Sequence, residues 1–312
     1  MTLEIENQHI QPGCGREPLV EAISTFLAHK QASGLTDIRA SLGRAIDEAG
    51  PDGIDGLSRS LARAGTDWSY NPSDPLARRI HHVLAERVLQ QAPIVVGTEH
   101  ARAVAGEPLV ILANHLSYSD ANAIEVLLHH AGERALADRL TVVAGPKVYS
   151  NVSRRFSSLC FGTIKIPQSS SRSTGEAVMN ARDVARGARR ALEIAQERLA
   201  LGDALLIFPE GSRSRSAQMQ PLLAGVARYL ESPDVRILPM GITGTERLFP
   251  IGEGALTPVP LTLRIGPPIA ASALRERAGG NRQAMMDIVG AAIAHLLPGE
   301  YRGVYAPRRF QI

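Results

Sequence analysis

Leu109-Val110-Ile111-Leu112-Ala113 is an unbroken aliphatic run that stops at Asn114-His115-Leu116-Ser117-Tyr118-Ser119-Asp120. Five apolar residues make a strand, and a strand without polar alternation is covered on both faces. Beyond the polar loop, Ile124, Leu127, Leu128 and Ala131 recur at three- and four-residue spacing, the stripe of an amphipathic helix over 121–131. The same alternation continues down the chain. Strand-like runs at 140–144, 162–166, 204–208, 235–242 and 261–265 are separated by helical patterns at 179–200, 222–230 and 282–297. Strands alternating with helices define an α/β fold, here expected as a mixed central sheet flanked by helices.

Upstream of Pro93 the texture is different. Residues 17–31, 35–49, 53–64 and 74–91 carry helical spacing, punctuated by Gly34, Gly50-Pro51 and Asn71-Pro72, with no strand-like run. The expected organisation is a smaller helical N-terminal domain over 1–92 and an α/β domain over 93–312. Trp68, the single tryptophan, reads as an anchor of the connection between them.

The 312 residues hold 44% hydrophobic and 21% charged residues, which excludes disordered and collagenous chains. A net charge of +3 gives no nucleic-acid footprint. Two cysteines, Cys14 and Cys160, fit a reducing compartment and form no metal-ligand cluster. No apolar run reaches the ~18 residues of a membrane span, and the polar N-terminus does not read as a signal peptide. The expected location is cytoplasmic, with peripheral contact to a membrane left open.

His115 falls at the end of a strand, where the ligand crevices of α/β sheets open. With His115 in the loop and Asp120 in the first helical turn, the carboxylate can hold one ring nitrogen and leave the other to take a proton. The same residues admit a plainer reading, a helix-capping aspartate beside a surface histidine. Ser117 and Asp120 stand at capping-box spacing.

Phe208-Pro209-Glu210-Gly211-Ser212-Arg213-Ser214 follows a second apolar run. Pro209 and Gly211 dictate a turn. Arg213 can fork onto a phosphate, with Ser212 and backbone N–H groups as further donors; a turn with solvated arginines is the alternative. From Arg139 to Gly175 there is no acidic residue, while Arg139, Lys147, Arg154, Arg155, Lys165 and Arg172 all fall there, a distribution suited to an anionic ligand.

In combination these motifs resemble the glycerolipid acyltransferase superfamily, whose signature is histidine and aspartate separated by four residues plus Phe-Pro-Glu-Gly-(Thr/Ser)-Arg-Ser. Gly162-Thr163-Ile164-Lys165-Ile166 and Ile237-Leu238-Pro239-Met240-Gly241-Ile242 look like its remaining motifs, so the likeness covers about 94–269. The resemblance implies His115 as general base and Asp120 as its orienting partner. It makes Glu210, Gly211, Ser212 and Arg213 the acceptor-binding segment. The arginine that the family often carries after the third motif's strand is missing from Ile166-Pro167-Gln168, and Lys165 or Arg172 are the candidate replacements.

The implied reaction is transfer of a fatty acyl group from acyl-CoA or acyl-carrier protein to glycerol-3-phosphate or a lysophospholipid, in phospholipid biosynthesis. It needs no cofactor and no metal. The helical N-terminal section is similar in outline to soluble glycerol-3-phosphate acyltransferases. Two other readings stand beside this one. A thioesterase would use water in place of the alcohol, although no Gly-x-Ser-x-Gly elbow is present. A non-catalytic acyl-carrier or lipid-binding module would not need His115 and Asp120.

Overall fold

The computed structural model describes residues 13–24, 35–66, 69–149, 152–167, 181–248 and 257–307. Arg172, Trp68 and the serine-rich stretch 169–173 lie outside them. Contacts divide the chain into two compact units: 1–90 with 141–197 and 252–258, and 91–140 with 198–251 and 259–312.

In the first unit, α1 (Arg16–Ser24) packs on α2 (Leu35–Thr66), which packs in turn on α3 (Pro75–Val88). The two helices expected at 35–49 and 53–64 are assigned as one, but the break between them is real. Gly50, at φ 68° and ψ −177°, leaves the helical conformation immediately before Pro51. The section also contains a strand where none is expected, β1 (Tyr70–Asn71). Two residues beside Asn71-Pro72 are too few to show a period. They pair antiparallel with β5 (Gly162–Lys165), which runs parallel to β4 (Leu140–Ala144) from Thr141 onward.

The second unit is built on a mixed sheet ordered β6 (Ala204–Ile207), β3 (Leu109–Ala113), β7 (Arg236–Thr243), β8 (Thr262–Ile265) and β2 (Ile94–Val96). β3 runs parallel to both neighbours, β8 runs antiparallel to β7, and β2 runs parallel to β8. All five residues of β3 are fully buried, as an unbroken aliphatic run on a central strand requires. β9 (Ile269–Ala270) pairs with the start of β7. It is separated from β8 by Gly266-Pro267-Pro268, two of which lack the N–H a ladder needs. α4 (Thr98–Arg102), α5 (Asp120–His130), α6 (Arg134–Ala137), α9 (Thr245–Leu248), α10 (Ala271–Arg277) and α11 (Arg282–His295) complete the unit, and α11 packs on β7 and β3. α7 (Val152–Ser158) lies within the 141–197 segment of the first unit, and α8 (Ala181–Ala200) forms the end of that segment and the first residues of the next. The pattern at 222–230 forms a 3₁₀ helix over Ala224–Leu230 rather than an α-helix.

Among the described residues no helix is long and apolar enough to cross a membrane.

Candidate active site

The parallel pairing of β3 with β6 sets the two motif loops side by side, because both leave the carboxyl ends of adjacent strands. The first loop is pinned at its root. Where β3 ends, the Asn114 side chain continues the ladder: its amide donates to the Ile242 carbonyl (2.9 Å) and its oxygen accepts from the Ile242 N–H (2.8 Å). Asn114 is buried. Asn114→Ala would leave both Ile242 groups unpartnered and should cost about 2–4 kcal/mol. A urea-unfolding midpoint shift checks this.

His115 is held from four directions. Its N–H donates to Glu210 Oε1 (2.8 Å), its carbonyl accepts from Ser214 N–H (2.8 Å), and its ring stacks on Phe208 with centroids 4.4 Å apart. Its Nδ1 lies 2.7 Å from Asp120 Oδ2. A carboxylate only accepts, so Nδ1 carries the proton and Nε2 presents a lone pair. Among the described residues nothing hydrogen-bonds Nε2, and the imidazole retains 17% side-chain exposure.

Asp120 is fully buried, and the same oxygen accepts from Leu116 N–H (2.6 Å) and Ser117 N–H (2.9 Å). It opens α5, where the positive end of the helix favours a carboxylate. The expected capping box does not form. The residue preceding the helix is Ser119, whose side chain caps nothing, and Asp120 turns back into the loop because three donors converge there.

Glu210 is buried and spans both loops, its second oxygen accepting from Gln220 N–H (2.8 Å). Burial raises its pKa to about 7; the two backbone hydrogen bonds pull the other way, and the charge of Asp120 adds to the rise. Both carboxylate oxygens are thus engaged by backbone groups. Gly211 takes φ +71°, a left-handed turn for which glycine is suited, and its N–H closes on the Phe208 carbonyl. Ser212 is exposed. Arg213 is half-buried, with its guanidinium carbon 3.6 Å from the centre of the Tyr118 ring.

Lys165 is placed in the first unit, buried, with its ammonium 4.7 Å from the Tyr149 ring centre. His115, Asp120, Glu210, Gly211, Ser212 and Arg213 all belong to the second unit.

A strap from the carboxyl-terminal end steadies the second loop. Met219 N–H donates to the Tyr301 carbonyl, Val304 N–H to the Met219 carbonyl, and Leu222 N–H to the Tyr305 hydroxyl. Tyr301 donates its hydroxyl to Glu246 (2.7 Å). The Tyr305 ring occupies space that only Gly290 leaves, since a Cβ there would come within 2.3 Å of it. The contacts made by Asn114, Tyr118 and this strap are absent from the sequence reading. Only Asn114 and Tyr118, inside the quoted motif, gave any signal.

Residues 92–243, just under half of the chain, match the family model described as Acyltransferase. The resemblance to the glycerolipid acyltransferase superfamily is therefore borne out over this region. Among curated proteins, a 1-acyl-sn-glycerol-3-phosphate acyltransferase of Limnanthes douglasii is 37% identical over 65 residues, 21% of this chain and 23% of the relative. The protein of the same description from Limnanthes alba is 35% identical over 65 residues, with the same coverage. The alignments thus span about a quarter of those relatives' length. Among solved structures, the 1-acyl-sn-glycerophosphate acyltransferase PlsC of Thermotoga maritima aligns at TM-score 0.48 and 17% identity, over 84% of this chain and 96% of that one.

Proposed function

We propose that this protein is a glycerolipid O-acyltransferase. It moves a fatty acyl group from acyl-CoA or acyl-carrier protein to the hydroxyl of a lysophospholipid, 1-acylglycerol-3-phosphate, with glycerol-3-phosphate as the smaller candidate acceptor. The observation that carries the reading is the His115–Asp120 pair, closed on the Nδ1 side and open at Nε2.

Asp120 holds the tautomer and balances the imidazolium charge when it forms. Nε2 takes the proton of the acceptor hydroxyl while its oxygen attacks the thioester carbonyl. The tetrahedral adduct collapses with cleavage of the C–S bond, and the proton on Nε2 passes to the departing thiolate. The acceptor is itself the nucleophile, so no acyl-enzyme forms. Arg213 is the phosphate contact. A lysophospholipid resides in a membrane, so the protein would work at a membrane surface.

The activity for which the relatives are named favours the lysophospholipid over glycerol-3-phosphate. Thiol release from acyl-CoA and from acyl-carrier protein, measured against a panel of alcohols, tests the proposal. Release that depends on 1-acylglycerol-3-phosphate supports it. Release independent of any alcohol means a thioesterase, and none with either donor means a binding module.

A further inference from the structure

The Tyr118–Arg213 contact joins the two motif loops at a further point, beyond the contacts of His115 with Phe208, Glu210 and Ser214. Arg213 precedes Ser214, and Tyr118 lies three residues after His115, so each loop carries one partner of both contacts. Among the described residues no carboxylate pairs with Arg213. A guanidinium offers two separate surfaces. Its face stacks on an aromatic ring, while its five N–H groups point outward in the plane and fit an anion two at a time. Using one leaves the other free.

We propose that Tyr118 is a positioning residue, whose ring holds the Arg213 guanidinium face-on so that its edge meets the phosphate of the acceptor. This rests on the acyltransferase reading above and extends it to a residue that never touches the reacting atoms. The aromatic face, and not the phenol hydroxyl, does the positioning. An arginine left to its own rotamers would lose conformational freedom each time it met phosphate; stacking on Tyr118 removes that loss in advance. Because the same loops fix His115, the arrangement also sets the separation between base and phosphate. That separation selects acceptors by the distance from hydroxyl to phosphate.

The test uses the full chain as wild type, Tyr118→Ala, Tyr118→Phe, Arg213→Ala and the double variant Tyr118→Ala/Arg213→Ala. Acyl transfer is followed with 1-acylglycerol-3-phosphate and with the corresponding monoacylglycerol, which lacks the phosphate. Tyr118→Ala is expected to raise KM for the phosphorylated acceptor roughly 2- to 30-fold, with kcat much less affected. Tyr118→Phe should restore the wild-type KM, and Tyr118→Ala should add nothing once Arg213 is alanine. A KM defect equal in Tyr118→Phe and Tyr118→Ala, or full additivity with Arg213→Ala, would overturn the proposal.

Equilibrium binding of glycerol 3-phosphate to the same proteins needs no turnover and separates the two levels of inference. If the wild type binds and Tyr118→Ala binds as well, the positioning role is wrong while the acyltransferase reading survives. A wild type that neither binds nor transfers to a phosphorylated acceptor overturns both.

Discussion

Replacing His115 with alanine should lower acceptor-dependent thiol release about 10²–10⁴-fold, the range a positioned general base contributes. The fold should survive, because the backbone bonds of residue 115 to Glu210 and Ser214 do not need the imidazole. Asp120→Asn should fall in the same range for another reason. An asparagine cannot balance the imidazolium, and its amide would set an N–H against the Leu116 and Ser117 donors or against His115 itself. Steady-state kinetics with each donor, alongside far-ultraviolet circular dichroism of both variants, checks the set. A His115→Ala protein retaining more than a tenth of wild-type turnover would remove the histidine from the mechanism.

The strands that position this pair were legible because they are buried on both faces. β3 and β6 are continuous aliphatic runs, and the structure places them within one residue of the sequence reading. β2 and β9 were not legible, since three and two residues carry no period. The two motifs could be recognised, but their meeting depends on β3 pairing with β6, a partner choice that no local pattern encodes. The roles of Asn114 and Glu210 were hidden for the same reason. Asn114 completes a ladder with β7, more than a hundred positions away, and Glu210 binds a backbone group in the other loop. The strap at Gly299–Tyr301 and Gly303–Tyr305 is two 3₁₀ turns with no apolar stripe, so its purchase on Met219 and Leu222 appears only in three dimensions.

Glu210→Gln is expected to make the protein more stable and slower, and the two effects separate a clamp from an acceptor contact. Burial lifts the Glu210 carboxyl from 4.5 to about 7 in the folded protein. Between those values the folded state holds more protons than the unfolded state, so this residue lowers stability as pH rises through the window and by a constant amount above it. The full difference is on the order of 3 kcal/mol. Glutamine resembles the protonated acid, neutral with one acceptor oxygen, so the variant should match the wild type once the pH falls below 4.5 and become the more stable protein as it rises past about 7. Urea unfolding across that range reads this directly, and parallel curves would mean that Glu210 is not buried as the structure has it. The catalytic effect should run the other way. Only the ionised carboxylate accepts from both His115 and Gln220, and the glutamine NH₂ would push one of those N–H groups away. A displacement of about 1 Å at a reacting group costs up to roughly 10²-fold. The loss should therefore appear in kcat, with KM for the acceptor nearly unchanged. A variant whose acceptor KM rises while kcat holds would return Glu210 to the acceptor-binding role that its motif suggested.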